Sequence, residues 1–164
     1  MQGIWYRTQL NLNIIPTNTN NVSGKLTEKL GLLASEILSD HNKHDLQVNL
    51  KLLSSEEMIT LSLNFRDKPT DTNVLSFPLD KNFPSPHNQL GDIAISIPFV
   101  ESEAKDLNRN IDDHMMHLIA HGILHLLGYD HIEDKDANLM ESIEIGYLEK
   151  FNIANPYLIW PKLK

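Results

Sequence analysis

The chain has 164 residues, 41% hydrophobic and 22% charged, a size and composition that fit one globular domain and exclude disorder. It has no cysteine, which rules out disulfides, thiolate zinc sites, iron–sulfur clusters and a cysteine nucleophile. Its formal charge of −8 weighs against non-specific nucleic-acid binding through cation release, although the imbalance is local: residues 101–149 carry a net of −9 and leave the remainder near neutral, able to form a small cationic cleft.

The acidic run is expected to be a solvated helical face. No apolar stretch approaches the roughly 18–20 residues that span a bilayer. The segment Met1–Thr8 lacks the apolar core of a secretory signal, so a cytoplasmic protein is expected.

Residues 4–15 alternate, with Leu10, Leu12 and Ile14 on one side, and predict a strand. A polar loop from Thr17 to Gly24 follows. Leu26, Leu30, Leu33 and Ile37 predict an amphipathic helix over 25–39. Val48, Leu50 and Leu52 predict a strand over 47–53. Ser54 and Glu57 form a capping-box signature for a helix running to about Phe65. After a polar loop over 66–73, Val74, Leu75 and Phe77 predict a short strand stopped by Pro78. Residues 80–88, with two prolines and His87, predict an irregular connection. A strand over 90–97 is followed by a short acidic helix opened by Pro98.

Met115, Leu118, Ile119, Ile123, Leu126 and Leu127 predict a central helix over 111–127, stopped by Gly128. A last helix over 134–151 has Leu139, Met140, Ile143 and Leu148 as its expected buried stripe, and the tail from Asn155 reads as irregular. Strands and helices mix without strict alternation, which predicts a single α+β domain over residues 1–164.

The chemistry concentrates in the central helix. Five of the 8 histidines lie between 114 and 131. His117, His121 and His125 form an i, i+4, i+8 ladder whose ends stand about 12 Å apart at about 1.5 Å per residue. Zinc takes nitrogen ligands at about 2.0–2.1 Å, so the three cannot share one ion. Gly128 breaks the helix, and Gly128-Tyr129-Asp130 can turn the chain so that His131 returns toward its C-terminal end. The ligand set is therefore His121, His125 and His131, with Zn2+ as the natural guest. Three protein ligands leave a fourth position for water, the mark of a catalytic site. His114 and His117 fall outside the set, as neighbours of the site or plain surface residues. The pattern is close to H-E-x-x-H, but residue 122 is Gly; the general base of those proteases is missing, which weighs against peptide hydrolysis.

The segment HGILHLLGYDH over 121–131 resembles the signature of the YbeY family of bacterial metal-dependent endoribonucleases. Two further segments are similar to that family: Leu61 to Pro78, with an Arg after an aromatic, a Lys/Pro/Thr loop and V-L-S-F-P; and Leu90-Gly-Asp-Ile93. The similarity covers about the whole chain. It implies a small α+β domain with a mixed sheet of about four strands and a cleft holding the metal. It implies zinc ligation by His121, His125 and His131 and a functional role for Arg66. It also implies an RNA substrate, with work in 16S rRNA 3′-end processing and ribosome quality control on the small ribosomal subunit.

Physical chemistry supplies roles beside the resemblance. Arg66 can hold two non-bridging phosphate oxygens while metal-activated water, or the RNA's own 2′-hydroxyl, attacks phosphorus. Lys68 and Lys81 are candidate phosphate contacts. Asp92 could orient a histidine ligand through its second nitrogen, and Asp130 is either such a partner or a turn residue. Two rival functions are an amidase- or protease-like metallohydrolase, and a non-catalytic ribosome-assembly factor with a structural metal. The charge of −8 implies weak intrinsic RNA affinity and hence a ribosome-associated partner that brings the substrate.

Overall fold

The computed structural model describes residues 11–16, 22–79 and 88–158. Residues 4–10 of the first predicted strand, the loop over 17–21, the connection over 80–87 with Lys81 and His87, and the end of the tail lie outside them. Among the described residues four strands form one sheet in the order β1-β2-β4-β3: β1 (Leu12–Ile15), β2 (Gln47–Leu53), β3 (Val74–Pro78) and β4 (Gln89–Ser96). β1, β2 and β4 are parallel neighbours, and β3 pairs antiparallel with β4 at the sheet's edge. The five helices among the described residues are α1 (Gly24–Asp40), α2 (Ser55–Arg66), α3 (Ile97–Asp106), α4 (Ile111–Leu126) and α5 (Asp134–Glu149). The architecture is α+β with a mixed sheet.

Local chemistry sets the element ends. At the start of α2 the Glu57 N–H donates to Ser54 Oγ while the Ser54 N–H donates to a Glu57 carboxylate oxygen, both at 3.2 Å, closing the capping box. Asn110 caps α4 by accepting from the Asp112 and Asp113 N–H groups. Pro98 sits in the first turn of α3, where its missing N–H is no loss.

The main core lies between the sheet and the α1/α4 layer. Val48, Leu50, Leu52, Ile93 and Ile95 face Leu30, Leu33, Ile37, Met115, Ile119 and Ile123. Each such side chain contributes about 1.5–3 kcal/mol by leaving water. α2 covers the other face, where Phe65 packs against Phe77 with ring centroids 4.6 Å apart and the planes inclined at 56°.

α5 corrects one expectation. Leu139 is 53% exposed, and the inward stripe is Met140, Glu144, Tyr147 and Leu148, with Ile143 partly buried. A carboxylate occupies the middle of this buried face, so a reading based on apolar residues alone rotates the helix toward Leu139.

α4 lies low over β4 and β3 because three small residues make room. A Cβ at Gly122 would meet Ile93 Cδ1 at 2.9 Å and Ser76 Oγ at 3.2 Å. A Cβ at Gly91 would meet the Phe77 carbonyl oxygen at 2.6 Å and Leu126 Cδ2 at 2.7 Å. Ser76 completes the contact by donating to the Gly122 carbonyl at 3.3 Å.

Gly91→Ala should destabilise the protein by about 1–3 kcal/mol, because backbone blocks the new methyl. Gly122→Ala should cost less: its closest clash is the end of an isoleucine, and alanine returns about 1 kcal/mol of helix propensity. Urea midpoints at constant slope measure both. A Gly91→Ala midpoint equal to that of the parent would refute the tight seat.

Candidate metal centre

The site forms where α4 ends. His121 and His125 lie one turn apart on the same face, with ring centroids at 4.5 Å. The helix then stops in a Schellman motif: Gly128 takes φ +102°, its N–H donates to the His125 carbonyl, and the Tyr129 N–H donates to the Leu124 carbonyl, both at 3.0 Å. The turn is pinned from outside. His41 donates from Nδ1 to the Ile37 carbonyl at 2.7 Å, and its Nε2 accepts from the Tyr129 hydroxyl at 2.9 Å. Asp130 Oδ1 accepts the Ile132 N–H at 2.7 Å, an Asx turn that swings His131 back. The His131 ring reaches 4.9 Å from His125 and 5.4 Å from His121, centroid to centroid. One ligand nitrogen from each of the three lies within 4.8 Å of the others.

The far side of each helical ring is already engaged. His125 Nδ1 lies 3.0 Å from the Tyr129 carbonyl, which can only accept, so Nδ1 carries the proton. His121 Nδ1 lies 3.0 Å from Glu144 Oε1. Burial pushes the Glu144 pKa up, but hydrogen bonds from His117 and His121 outweigh it and hold the group at about 2, so it too only accepts. Burial, reinforced by the nearby His121, lowers the pKa of His125 and keeps its ring neutral.

Nε2 of His125 therefore presents a lone pair. It faces His121 Nε2 at 3.0 Å. Two imidazole nitrogens side by side, with their second nitrogens tied to a carboxylate and a carbonyl and a third imidazole close by, suit the donor set of a histidine metal site. Tetrahedral zinc spaces its nitrogens by about 3.3 Å at the usual bond length. The residues fit the ion.

Other histidines of the ladder are used differently. His117 turns Nε2 to Glu144 at 3.0 Å and to the Tyr157 hydroxyl at 3.1 Å. His114 donates from Nε2 to Glu103 at 2.7 Å. Both rings are buried, not surface residues. The acidic run is accordingly not one solvated face: Glu144 is fully buried and Glu103 is paired inward.

The three histidines open onto a cleft of about 470 Å³ whose other wall is β3 and its approach, from Asn73 through Leu75, Ser76 and Pro78. Asn73 is fixed there by donating to Glu103 at 3.0 Å.

Arg66 does not line this cleft. It ends α2, with Nε donating to the buried Ser62 hydroxyl at 2.9 Å and an outer nitrogen 3.5 Å from Thr70 Oγ1. The Phe65–Phe77 contact ties this end of α2 to the strand that forms the cleft wall. Lys68 is exposed on the following loop, and Lys81 lies outside the described residues.

Asp92 orients no imidazole among the described residues. Alternation along β4 turns it away from the α4 face that Gly91 and Ile93 share; it accepts from Asn49 at 3.0 Å and pairs with Lys51 at 3.2 Å. Asp130 acts in the turn. Sequence reasoning missed Glu144 and Tyr157; the available signal was a lone Glu inside an otherwise apolar helical stripe.

Residues 15–152 match the family described as endoribonuclease YbeY. The chain belongs to the YbeY family. An endoribonuclease YbeY of Francisella philomiragia is 40% identical over 154 residues, covering 91% of this chain and 96% of its own. One from Francisella tularensis subsp. novicida is 37% identical, covering 91% and 93%. Among solved structures, the solution structure of TM1509 from Thermotoga maritima superposes with a TM-score of 0.62 at 31% identity, over 85% of this chain and 87% of that one.

Within this YbeY fold, position 122 explains the absent protease base. Gly122 faces Ile93 and Ser76 across the tight helix–sheet contact, with no room for a glutamate. No helix among the described residues is long and apolar enough to cross a membrane.

His114 gives a pH test. Burial lowers its pKa, against the raising effect of Glu103. Its folded value lies below the ordinary 6.5, so its stabilising contribution is full above pH 6.5 and is lost as the pH falls through that value. In thermal melts of metal-free protein, His114→Gln should flatten the fall in stability between about pH 7 and 5. His125 shifts in the same direction and should preserve part of the slope. An unchanged pH profile would remove His114 from this account.

Proposed function

We propose that the protein is a zinc-dependent, single-strand-specific endoribonuclease of the cytoplasm, acting in 16S rRNA 3′-end maturation and ribosome quality control. The observation that carries the reading is the pair of His121 and His125 Nε2 atoms facing each other at 3.0 Å beside His131, open to a cleft.

His121, His125 and His131 hold the ion. Zinc there supplies a Lewis acid that acidifies water and withdraws charge from a phosphate oxygen. Arg66 holds the scissile phosphate. Its Nε is anchored on Ser62, which fixes the guanidinium plane, and its one other contact, an outer nitrogen 3.5 Å from Thr70 Oγ1, is long enough to give way to a bidentate grip on phosphate. Among the described residues it has no acidic partner within salt-bridge distance, which favours a ligand-binding role over a structural ion pair. Arg66 stands at the end of α2, which the Phe65–Phe77 contact ties to the strand that walls the cleft. Lys68 and Lys81 steer the flanking phosphates. With a chain charge of −8, these few cations give modest intrinsic affinity, so the ribosomal small subunit or a protein bound to it presents the RNA.

Metal analysis and cleavage of a single-stranded RNA test this together. The unaltered protein should carry about one zinc per chain and cut the RNA. Arg66→Ala should keep the zinc and cut about 10²–10³ times more slowly, as when one preorganised charge stabiliser is lost. His121→Ala should lose both zinc and cleavage. A 5′-phosphate on the downstream product indicates water attack, and a cyclic phosphate indicates attack by the 2′-hydroxyl. Full activity in Arg66→Ala removes its phosphate role. A zinc-loaded protein that hydrolyses peptides and leaves RNA intact would overturn the reading.

A further inference from the structure

Glu144 sits mid-way along α5, fully buried. Its Oε1 accepts from His117 Nε2, His121 Nδ1 and the Tyr157 hydroxyl, each at 3.0 Å, and that hydroxyl lies equally close to Oε2. Two imidazoles and a phenol are its partners; no lysine or arginine among the described residues pairs with it. A carboxylate stripped of water is unfavourable unless a positive charge lies near. His121 is the bridge to one, because the ring that takes the carboxylate on Nδ1 turns Nε2 toward His125 and the cleft.

We propose that Glu144 is the positioning residue of the metal centre: it locks His121 with Nε2 toward the cleft, and its buried charge is balanced by the dication held one ring away. Tyr157 joins the segment after α5 to the same carboxylate, so the C-terminal part of the chain is fastened to the site. The proposal rests on the metal reading above. Charge and ion then favour each other across the imidazole, and each is less stable without the other.

Glu144→Gln separates this from a packing role. Glutamine has the same shape and keeps an oxygen for His121, but it removes the charge. Zinc affinity is measured by competition with a chromophoric chelator, and thermal unfolding is measured on the metal-free protein. Affinity should fall by about 10- to 100-fold, while the metal-free variant melts no lower than the unaltered protein. The visible spectrum of the cobalt-loaded variant should differ from that of the parent, because the His121 ring is a weaker donor.

If the unaltered protein binds zinc and Glu144→Gln binds it equally well, the proposal falls while the metal reading stands. If the unaltered protein takes up no zinc, the metal reading falls and this one falls with it. Should Glu144→Gln fail to fold, Glu144→Asp replaces it; that variant keeps the charge but shortens the reach to His121, and unchanged zinc affinity there would equally overturn the proposal.

Discussion

Everything at the site depends on how closely α4 sits on the sheet. Gly122, Gly91 and Ser76 let the helix descend until its backbone nearly touches β3 and β4. At that height His121 and His125, on the flank of the helix, share a cleft with the edge strand. α5, packed against α4's other side, brings Glu144 into hydrogen-bonding range of His121. A helix raised by one methyl group would widen the cleft and loosen the contacts that hold the rings. The stop is equally constrained: a residue that avoids positive φ at 128 would not turn the chain, and His131 would continue away from the other two.

The rings are also held chemically. Each helical histidine of the cluster spends one nitrogen on the protein and leaves the other toward the cleft, but the two acceptors differ. Glu144 is a charged side chain from a separate helix; the Tyr129 carbonyl is part of the turn that ends α4. His125 is thus set by local backbone geometry and His121 by tertiary packing. Less entropy remains to be lost when an ion enters, because rotamer and tautomer are chosen beforehand.

Much of this was legible in the sequence because it is local. The Ser54–Glu57 capping box, the Gly128 stop and the i, i+4 spacing of His121 and His125 depend on residues a few positions apart, where backbone geometry decides the outcome. The alternation in Gln47–Leu53 located β2 to the residue. Contacts made across the fold were not legible. Glu144 approaches His121 from 23 positions away, and nothing in its helix marks an acid as inward-facing except that its neighbours are apolar. Asp92 was misread for a related reason: a strand's alternation separates its faces, but only the assembled sheet shows which face meets the histidines. Arg66 ends α2 as expected, yet its relation to the cleft depends on an edge strand whose pairing with β4 the sequence does not encode locally.

The Schellman stop at Gly128 has an electrical consequence. The peptide dipoles of α4 add along its axis, and their negative end, worth about half an elementary charge, lies at the last turn beside His125. A cation held by His121, His125 and His131 would sit at the pole of the helix that attracts positive charge, in a chain that is anionic overall.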